Sequence, residues 1–239
     1  MYTVFKPTVR SKTMEHIYTI PINEHFAKTG DCPICSLFAM LERNELEAVT
    51  GASMMEPSVR MKTNELGFCN DHFNGIIAVG KRLPVALMMQ SHLEKIRRDV
   101  FGKPAQTQIK HLSALSKECY VCRRLEQQQK NLWSNIFWLW TNDSGFRDKV
   151  KSQTKYCLPH YEKLLEYGSR ELNRKSFAEF ARTVDSTEEK YMETLQQDID
   201  WFCKKFDYRF AKEDWKNSRD AIERTVWTLT GKAPQMKSE

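Results

Sequence analysis

The sequence predicts an all-α protein: two related helical repeats followed by a C-terminal helical segment. Three observations predict it. Apolar residues recur at helical spacing along most of the chain, convincing alternating strands are absent, and one cysteine–histidine pattern occurs twice. Composition agrees. Of 239 residues, 41% are hydrophobic and 28% charged, with only 9 Gly and 8 Pro. That mixture excludes collagen-like, low-complexity and disordered chains. A chain of this length buries enough surface to hold a core without staples.

The elements follow in order. Ile34, Leu37, Phe38, Leu41, Ala48 and Val49 fall on one helical face, and Gly51 is its stop. Val85, Met88, Met89, His92, Ile96 and Val100 make a second stripe, with Pro84 suited to its first turn and Gly102 at its end. Val121, Leu125, Gln128, Leu132, Ile136 and Leu139 make a third. Trp133, Phe137 and Trp140 widen it, which predicts burial on most sides. Leu195, Ile199, Phe202 and Phe206 make a fourth, and Trp215, Ile222, Val226 and Leu229 a fifth that Gly231 ends. Tyr18 to Ile22 is the single strand candidate, and Pro21 demotes it. Linker signals stand at Gly102-Lys103-Pro104, Asn142 to Gly145 and Gly168, and the polar stretch Lys232 to Glu239 is expected to fray. These divide the chain into a first repeat over 1–102, a second over 103–172, and C-terminal helices over 173–239 that pack on the repeats.

Charge and termini set the expected compartment. The opening Met1-Tyr2-Thr3-Val4-Phe5-Lys6-Pro7 lacks the basic and apolar regions of a secretory signal, and no uninterrupted apolar run is long enough to span a bilayer. A cytoplasmic protein without membrane contact is expected, one whose paired cysteines point to metal or redox chemistry before disulfides. Net charge is +6. Such an excess admits nucleic acid or an acidic partner without demanding either, and the basic residues are scattered.

Six of the seven cysteines fall into the duplicated pattern. The first copy is Cys32-x2-Cys35 with Cys69-x2-His72; the second is Cys119-x2-Cys122 with Cys157-x2-His160. Counting positions, 69 − 35 = 34 and 157 − 122 = 35, so the gaps nearly match. Neighbours match too: Asp31 and Glu118 before the first cysteine, Phe68 and Tyr156 before the third, Phe73 and Tyr161 after the histidine, Val59-Arg60 and Phe146-Arg147 upstream. Zinc prefers four soft or borderline ligands in a tetrahedron. A Cys-x2-Cys knuckle aims two thiolates at one point, and Cys-x2-His at a helix start does the same, because i and i+3 share a face. Each copy is expected to close its own Cys3His site, giving two zinc ions per chain. Four protein ligands leave no open position, which favours structure over catalysis. An iron–sulfur cluster with one histidine ligand is the less favoured occupant. Arg123, Arg124 and Lys155 are candidates to soften the negative charge of the second site. Structural zinc is worth an apparent ~10–16 kcal/mol in small fingers. Domain stability is only ~5–15 kcal/mol, so losing the ion is expected to unfold at least the repeat it holds.

Other residues read more plainly. Cys203 beside Phe202 is expected to be a small core residue, and His92 a satisfied histidine on an apolar face; His16, His25 and His111 are unpaired by spacing, with His25 a candidate to support the first knuckle. Trp201 to Phe210 mixes aromatic and basic residues, and its spacing favours core packing over base stacking. No Ser-His-Asp order, phosphate loop or His-Glu-x2-His is present, so no catalytic residues are selected and enzyme status stays open.

The run Asp31-Cys32-Pro33-Ile34-Cys35, then Gly67-Phe68-Cys69-Asn70-Asp71-His72, Cys119-Tyr120-Val121-Cys122 and Tyr156-Cys157-Leu158-Pro159-His160, resembles an uncharacterised bacterial domain-of-unknown-function family with twin Cys-x2-Cys and Cys-x2-His pairs. Its ending is similar to Asp200-Trp201-Phe202 through Asp207-Tyr208-Arg209. Some relatives are labelled ABC transporter substrate-binding proteins, but neither an export signal nor alternating β/α lobes accompany the motifs here. The resemblance implies a fold unit and no activity. The function expected is a zinc-stabilised helical binding module, non-enzymatic, for a protein or nucleic-acid partner. The alternatives are a redox or iron–sulfur protein and a helical enzyme with its pocket between the repeats.

Overall fold

The computed structural model describes residues 18–233 and contains, among them, eleven α-helices and no strand. The opening seven residues, His16 and residues 234–239 lie outside the described residues. In chain order the helices are α1 (Thr19–Phe26), α2 (Pro33–Val49), α3 (Pro57–Leu66), α4 (Asn70–Ala78), α5 (Arg82–Val100), α6 (Ala105–Lys117), α7 (Tyr120–Asn142), α8 (Ser144–Lys151), α9 (Leu158–Glu171), α10 (Arg174–Lys204) and α11 (Ala221–Thr230). A short 3-10 helix, Ala52–Met55, joins α2 to α3. None of them is long and apolar enough to cross a membrane.

The helix ends obey local chemistry. Pro33 and Pro57 open α2 and α3, where a missing N–H leaves no bond unmade. Asp143 and Asn173 cap α8 and α10, accepting from the Phe146 and Ser176 N–H groups at 3.1 and 2.9 Å. Gly231 ends α11 in the left-handed region at φ 69°, which only glycine enters without strain.

Two antiparallel helices, α2 and α7, form the spine. The direction is fixed by their contacts: Phe38 meets Trp133 edge-on at 5.8 Å, whereas Glu45 accepts from Arg124 at 3.1 Å and Gln128 at 3.0 Å. As residue numbers rise along α2 they fall along α7. The main core lies at the α2 start, where Ile34, Leu37 and Leu41 pack with Leu132, Ile136, Phe137 and Trp140 of α7, and with Phe26, Phe146 and Phe180. Burying each such side chain contributes roughly 1.5–3 kcal/mol. A smaller cluster of Val49, Ile76, Val85, Met88, Tyr120 and Val121 fills the other end.

All five helical stripes lie in or against helices; α7 is buried on most sides between Leu132 and Trp140, as its width predicted, whereas Cys122, Arg123 and Arg124 in its first half are exposed. Several details differ from the sequence reading. Tyr18 to Ile22 leads into α1 rather than a strand; Pro21 falls within the first turn, where the N–H that proline lacks would have no partner in the helix. Gly168 lies inside α9 instead of in a linker; its glycine marks close packing, since a Cβ there would meet Phe137 Cε1 at 3.2 Å. Cys203 is exposed near the end of α10, and the helix stops at Lys204, leaving Phe206 74% exposed. On α11, Ile222 and Leu229 face outward while Ala221 and Thr228 are buried and Trp227 packs against the main core. The stretch Trp201 to Phe210 is neither core nor free loop. Trp201 packs against Phe210, while Phe202, Phe206 and Trp215 form a trio of rings, and buried Lys205 lies over the Trp215 ring at 5.3 Å.

Candidate metal centres

The four motif pairs share one local design. Cys32, Cys69, Cys119 and Cys157 are the N-caps of α2, α4, α7 and α9, so Cys35, His72, Cys122 and His160 follow in the first turn. Backbone N–H groups of a helix start favour negative charge. The Cys122 N–H points at Cys119 Sγ over 3.5 Å, as a knuckle requires.

The pairs close across the molecule. Cys32 and Cys35 meet Cys157 and His160, forming an outer centre; Cys69 and His72 meet Cys119 and Cys122, forming an inner one. Closure within each sequence copy does not occur, for a physical reason. α2 has 17 residues and carries the chain about 21 Å from Cys35 to the helix end, before α4 begins. There α4 packs on the far half of α2, with Gly75 against Leu46. The antiparallel α7 brings its own start to that same end.

In the outer centre, His160 Nδ1 lies 3.1 Å from Cys157 Sγ, 3.2 Å from Cys35 Sγ and 3.7 Å from Cys32 Sγ, and the Cys35 and Cys157 sulfurs are 3.5 Å apart. In the inner centre, His72 Nδ1 lies 3.1 Å from Cys69 Sγ, 3.2 Å from Cys119 Sγ and 3.4 Å from Cys122 Sγ, and the Cys69 and Cys122 sulfurs are 3.9 Å apart. A zinc tetrahedron with Zn–S ~2.3 Å and Zn–N ~2.0–2.1 Å has edges of about 3.8 Å between sulfurs and about 3.6 Å between sulfur and nitrogen. Both donor sets fit one ion each, and all seven cysteines are free thiols.

Crowded thiols resist joint ionisation. Hydrogen bonds with Cys157 and Cys32, then burial, push Cys35 far up; the bond with Cys32 and burial push Cys157 up to about 12. Burial opposes ionisation of Cys32, but bonds from Cys157, Cys35 and His160 outweigh it and hold that thiol well below its ordinary value. Burial and Cys119 push Cys122 up to about 12. A divalent cation held here would remove this conflict by binding all three sulfurs as thiolates, and its binding would release protons.

The surroundings differ. The outer centre has Cys32 and Cys157 buried, Gly231 of α11 against Cys157, and the Phe38 ring edge-on to His160 at 5.0 Å. Next to Cys157, the buried Tyr156 donates its N–H to Glu188 Oε2 at 2.9 Å. In the inner centre Cys122 is exposed, and His72 Nε2 lies 3.4 Å from Glu42 Oε1. A carboxylate on the far nitrogen orients a ligating imidazole and raises its basicity. Neither Glu42 nor Glu188 was singled out by the sequence, since single glutamates on charged helices carry no spacing signal.

Other expectations resolve at the same point. Arg123 and Arg124 do not turn to sulfur; they pair with Glu118 at 2.6 Å and Glu45 at 3.1 Å, because carboxylates stand closer to hand. Lys155 pairs with Asp31 at 3.7 Å and sits over the Trp227 ring. His25 Nδ1 lies 2.7 Å from the hydroxyl of Ser36, the residue after Cys35, and that hydroxyl donates to the Pro33 carbonyl. His92 is satisfied by the Asn64 carbonyl at 2.9 Å, and His111 lies on exposed α6.

Compared with known proteins, the sequence matches the family model described as "Family of unknown function (DUF6062)" over residues 13–236. No curated protein and no solved structure matches it.

Proposed function

We propose that this chain, which belongs to the family of unknown function DUF6062, is a non-enzymatic helical binding module fastened by two zinc ions. The observation that carries the reading is the convergence of three sulfurs and one imidazole nitrogen, twice, at distances near those of a zinc tetrahedron. Sulfurs 3.5–3.9 Å apart suit one central ion and leave no room for a multi-iron cluster. Four protein ligands fill the coordination sphere, so the zinc serves as a cross-link rather than a Lewis acid. Zinc held this way couples binding to folding.

A protein partner suits the outer face of α5 and α6 better than nucleic acid does. No residue of α6 is buried, and Leu83, Leu93, Ile109 and Leu112 stand 50–70% exposed along the two helices. Aliphatic side chains match an apolar protein surface; base stacking needs aromatic platforms. Elemental analysis of untagged protein should give about two zinc per chain, the closed Cys3His count. A strong chelator should abolish the cooperative melt. A colourless protein without metal, or a melting curve indifferent to chelation, overturns the zinc reading. Binding that falls steeply with salt on heparin or oligonucleotides would move the partner to nucleic acid.

A further inference from the structure

The two centres have the same donors and unequal surroundings, and the difference assigns them different chemistry. We infer that the inner centre is a hydroperoxide-reactive zinc–thiolate site, with Cys122 as the attacking sulfur and Cys69 as its resolving partner. This rests on the reading that both centres hold zinc.

Access is the first distinction. Each centre has a partly exposed sulfur, Cys69 in the inner and Cys35 in the outer, but only the inner has an exposed one, Cys122; the outer centre's Cys32 and Cys157 are buried, and the end of α11 lies against Cys157. Oxidation of cysteine follows thiolate character and exposure together. Zinc gives every ligand sulfur thiolate character, so exposure decides between the centres.

Charge is the second. Three thiolates and one zinc leave a formal charge of about −1 at each centre. At the inner centre Glu42 lies on His72 Nε2 and adds electron density, while Arg123 and Arg124 are held by Glu118 and Glu45. An electron-rich, accessible sulfur is the better nucleophile.

A second sulfur within reach completes the site without distinguishing it, since Cys35 and Cys157 stand 3.5 Å apart in the outer centre. Cys69 Sγ stands 3.9 Å from Cys122 Sγ, and a disulfide needs about 2.0 Å. The Cys122 thiolate attacks one peroxide oxygen; an S–O bond forms, the O–O bond breaks, and hydroxide leaves with the electron pair. The Cys69 thiolate then attacks the sulfenic sulfur, forming the S–S bond and expelling a second hydroxide. Two electrons pass from sulfur to peroxide, and the two hydroxides are neutralised by protons from the buffer. Only Cys119 and His72 remain as ligands, so zinc leaves.

The test uses zinc-loaded full-length protein carrying Cys203→Ser, which removes the exposed bystander thiol. Limiting hydrogen peroxide is added; zinc release is followed with a chromogenic chelator, and cysteines are mapped by mass spectrometry. The expected result is one zinc released about tenfold faster than the other, in step with a Cys69–Cys122 disulfide, in keeping with the dependence of oxidation on exposure. Thiol reductant plus zinc should restore the starting state, and Glu42→Gln, loaded with zinc to the same content before peroxide is added, should slow the fast phase. Loss of both zinc ions at one rate, or first oxidation at Cys32, Cys35 or Cys157, overturns the inference while leaving two bound zinc ions standing. Starting protein with no zinc overturns both readings.

Discussion

A Cβ on Gly168 would lie 3.2 Å from Phe137 Cε1 and 3.4 Å from the Phe177 ring. Alanine gains up to about 1 kcal/mol of helix propensity there, but overpacking a core costs about 1–3 kcal/mol, so Gly168→Ala should lower the melting temperature by a few degrees. Lys205 is 6% exposed and donates from Nζ to the Phe210 and Ala211 carbonyls at 2.8 and 2.9 Å and to that of Glu213. Lys205→Met strips donors from those acceptors; hydrogen bonds to charged groups are worth about 1.5–3 kcal/mol each, and a loss in that range should appear in denaturant melts, with faster proteolysis between 205 and 218. Glu188 supplies a pH-dependent case. Burial raises its carboxyl above the ordinary value, against the Tyr156 N–H bond that favours ionisation. The unfolded chain therefore loses this proton at lower pH than the folded one. The stability due to Glu188 is full below about pH 4.3 and declines as pH rises through the raised folded value. Glu188→Gln keeps the acceptor for Tyr156, so its melting temperature relative to wild type should improve from pH 4 towards pH 7. A difference independent of pH would show that Glu188 ionises as freely folded as unfolded.

At the scale of elements, α2 and α7 decide which motif pairs meet. The eight cysteine and histidine residues that converge were legible as candidates because cysteine and histidine at three-residue spacing, repeated, have few other uses. Their partners were not. Nearly equal gaps of 34 and 35 positions suggest tandem closure, and spacing along a chain says nothing about where a helix 17 residues long sets its next segment down. The stripe of α2 predicted its length, but the antiparallel approach of α7 depends on contacts such as Glu45 with Arg124 and Gln128, which only the fold creates. Cross-closure also ranks the centres. The outer contacts span 122 to 128 positions and the inner cross-contacts 47 to 53. Closing the longer loop restrains the unfolded chain more, by about 0.6 kcal/mol per doubling of length. The outer centre also borders the larger core. Cys157→Ser should thus depress the melting temperature further than Cys69→Ser, by roughly 2–4 °C for about 1 kcal/mol in a chain of this size. Circular dichroism melts of the two zinc-loaded variants check the order.

For the whole molecule, cross-closure makes the two halves hold each other. Cys32, Cys35, Cys69 and His72 precede the α5–α6 turn, and Cys119, Cys122, Cys157 and His160 follow it, so each centre takes two ligands from each side. That turn is open to attack: Phe101 is 66% exposed and Gly102 sits at φ 73° with nothing within 4 Å of a Cβ there. A protease site placed in the turn of the full-length chain, cleaved after folding with zinc, should leave a particle of unchanged size on gel filtration. The buried α2–α7 seam contributes to that cohesion, so size alone does not isolate the metal's part. Separation does. When mild denaturant parts the cut halves, cross-closure leaves each with two incomplete pairs, and neither should retain zinc. Closure within each copy would instead deliver two halves, each still holding one ion. The metal count of the separated pieces therefore reads the connectivity of the fold directly, because an ion shared between chains cannot follow both of them.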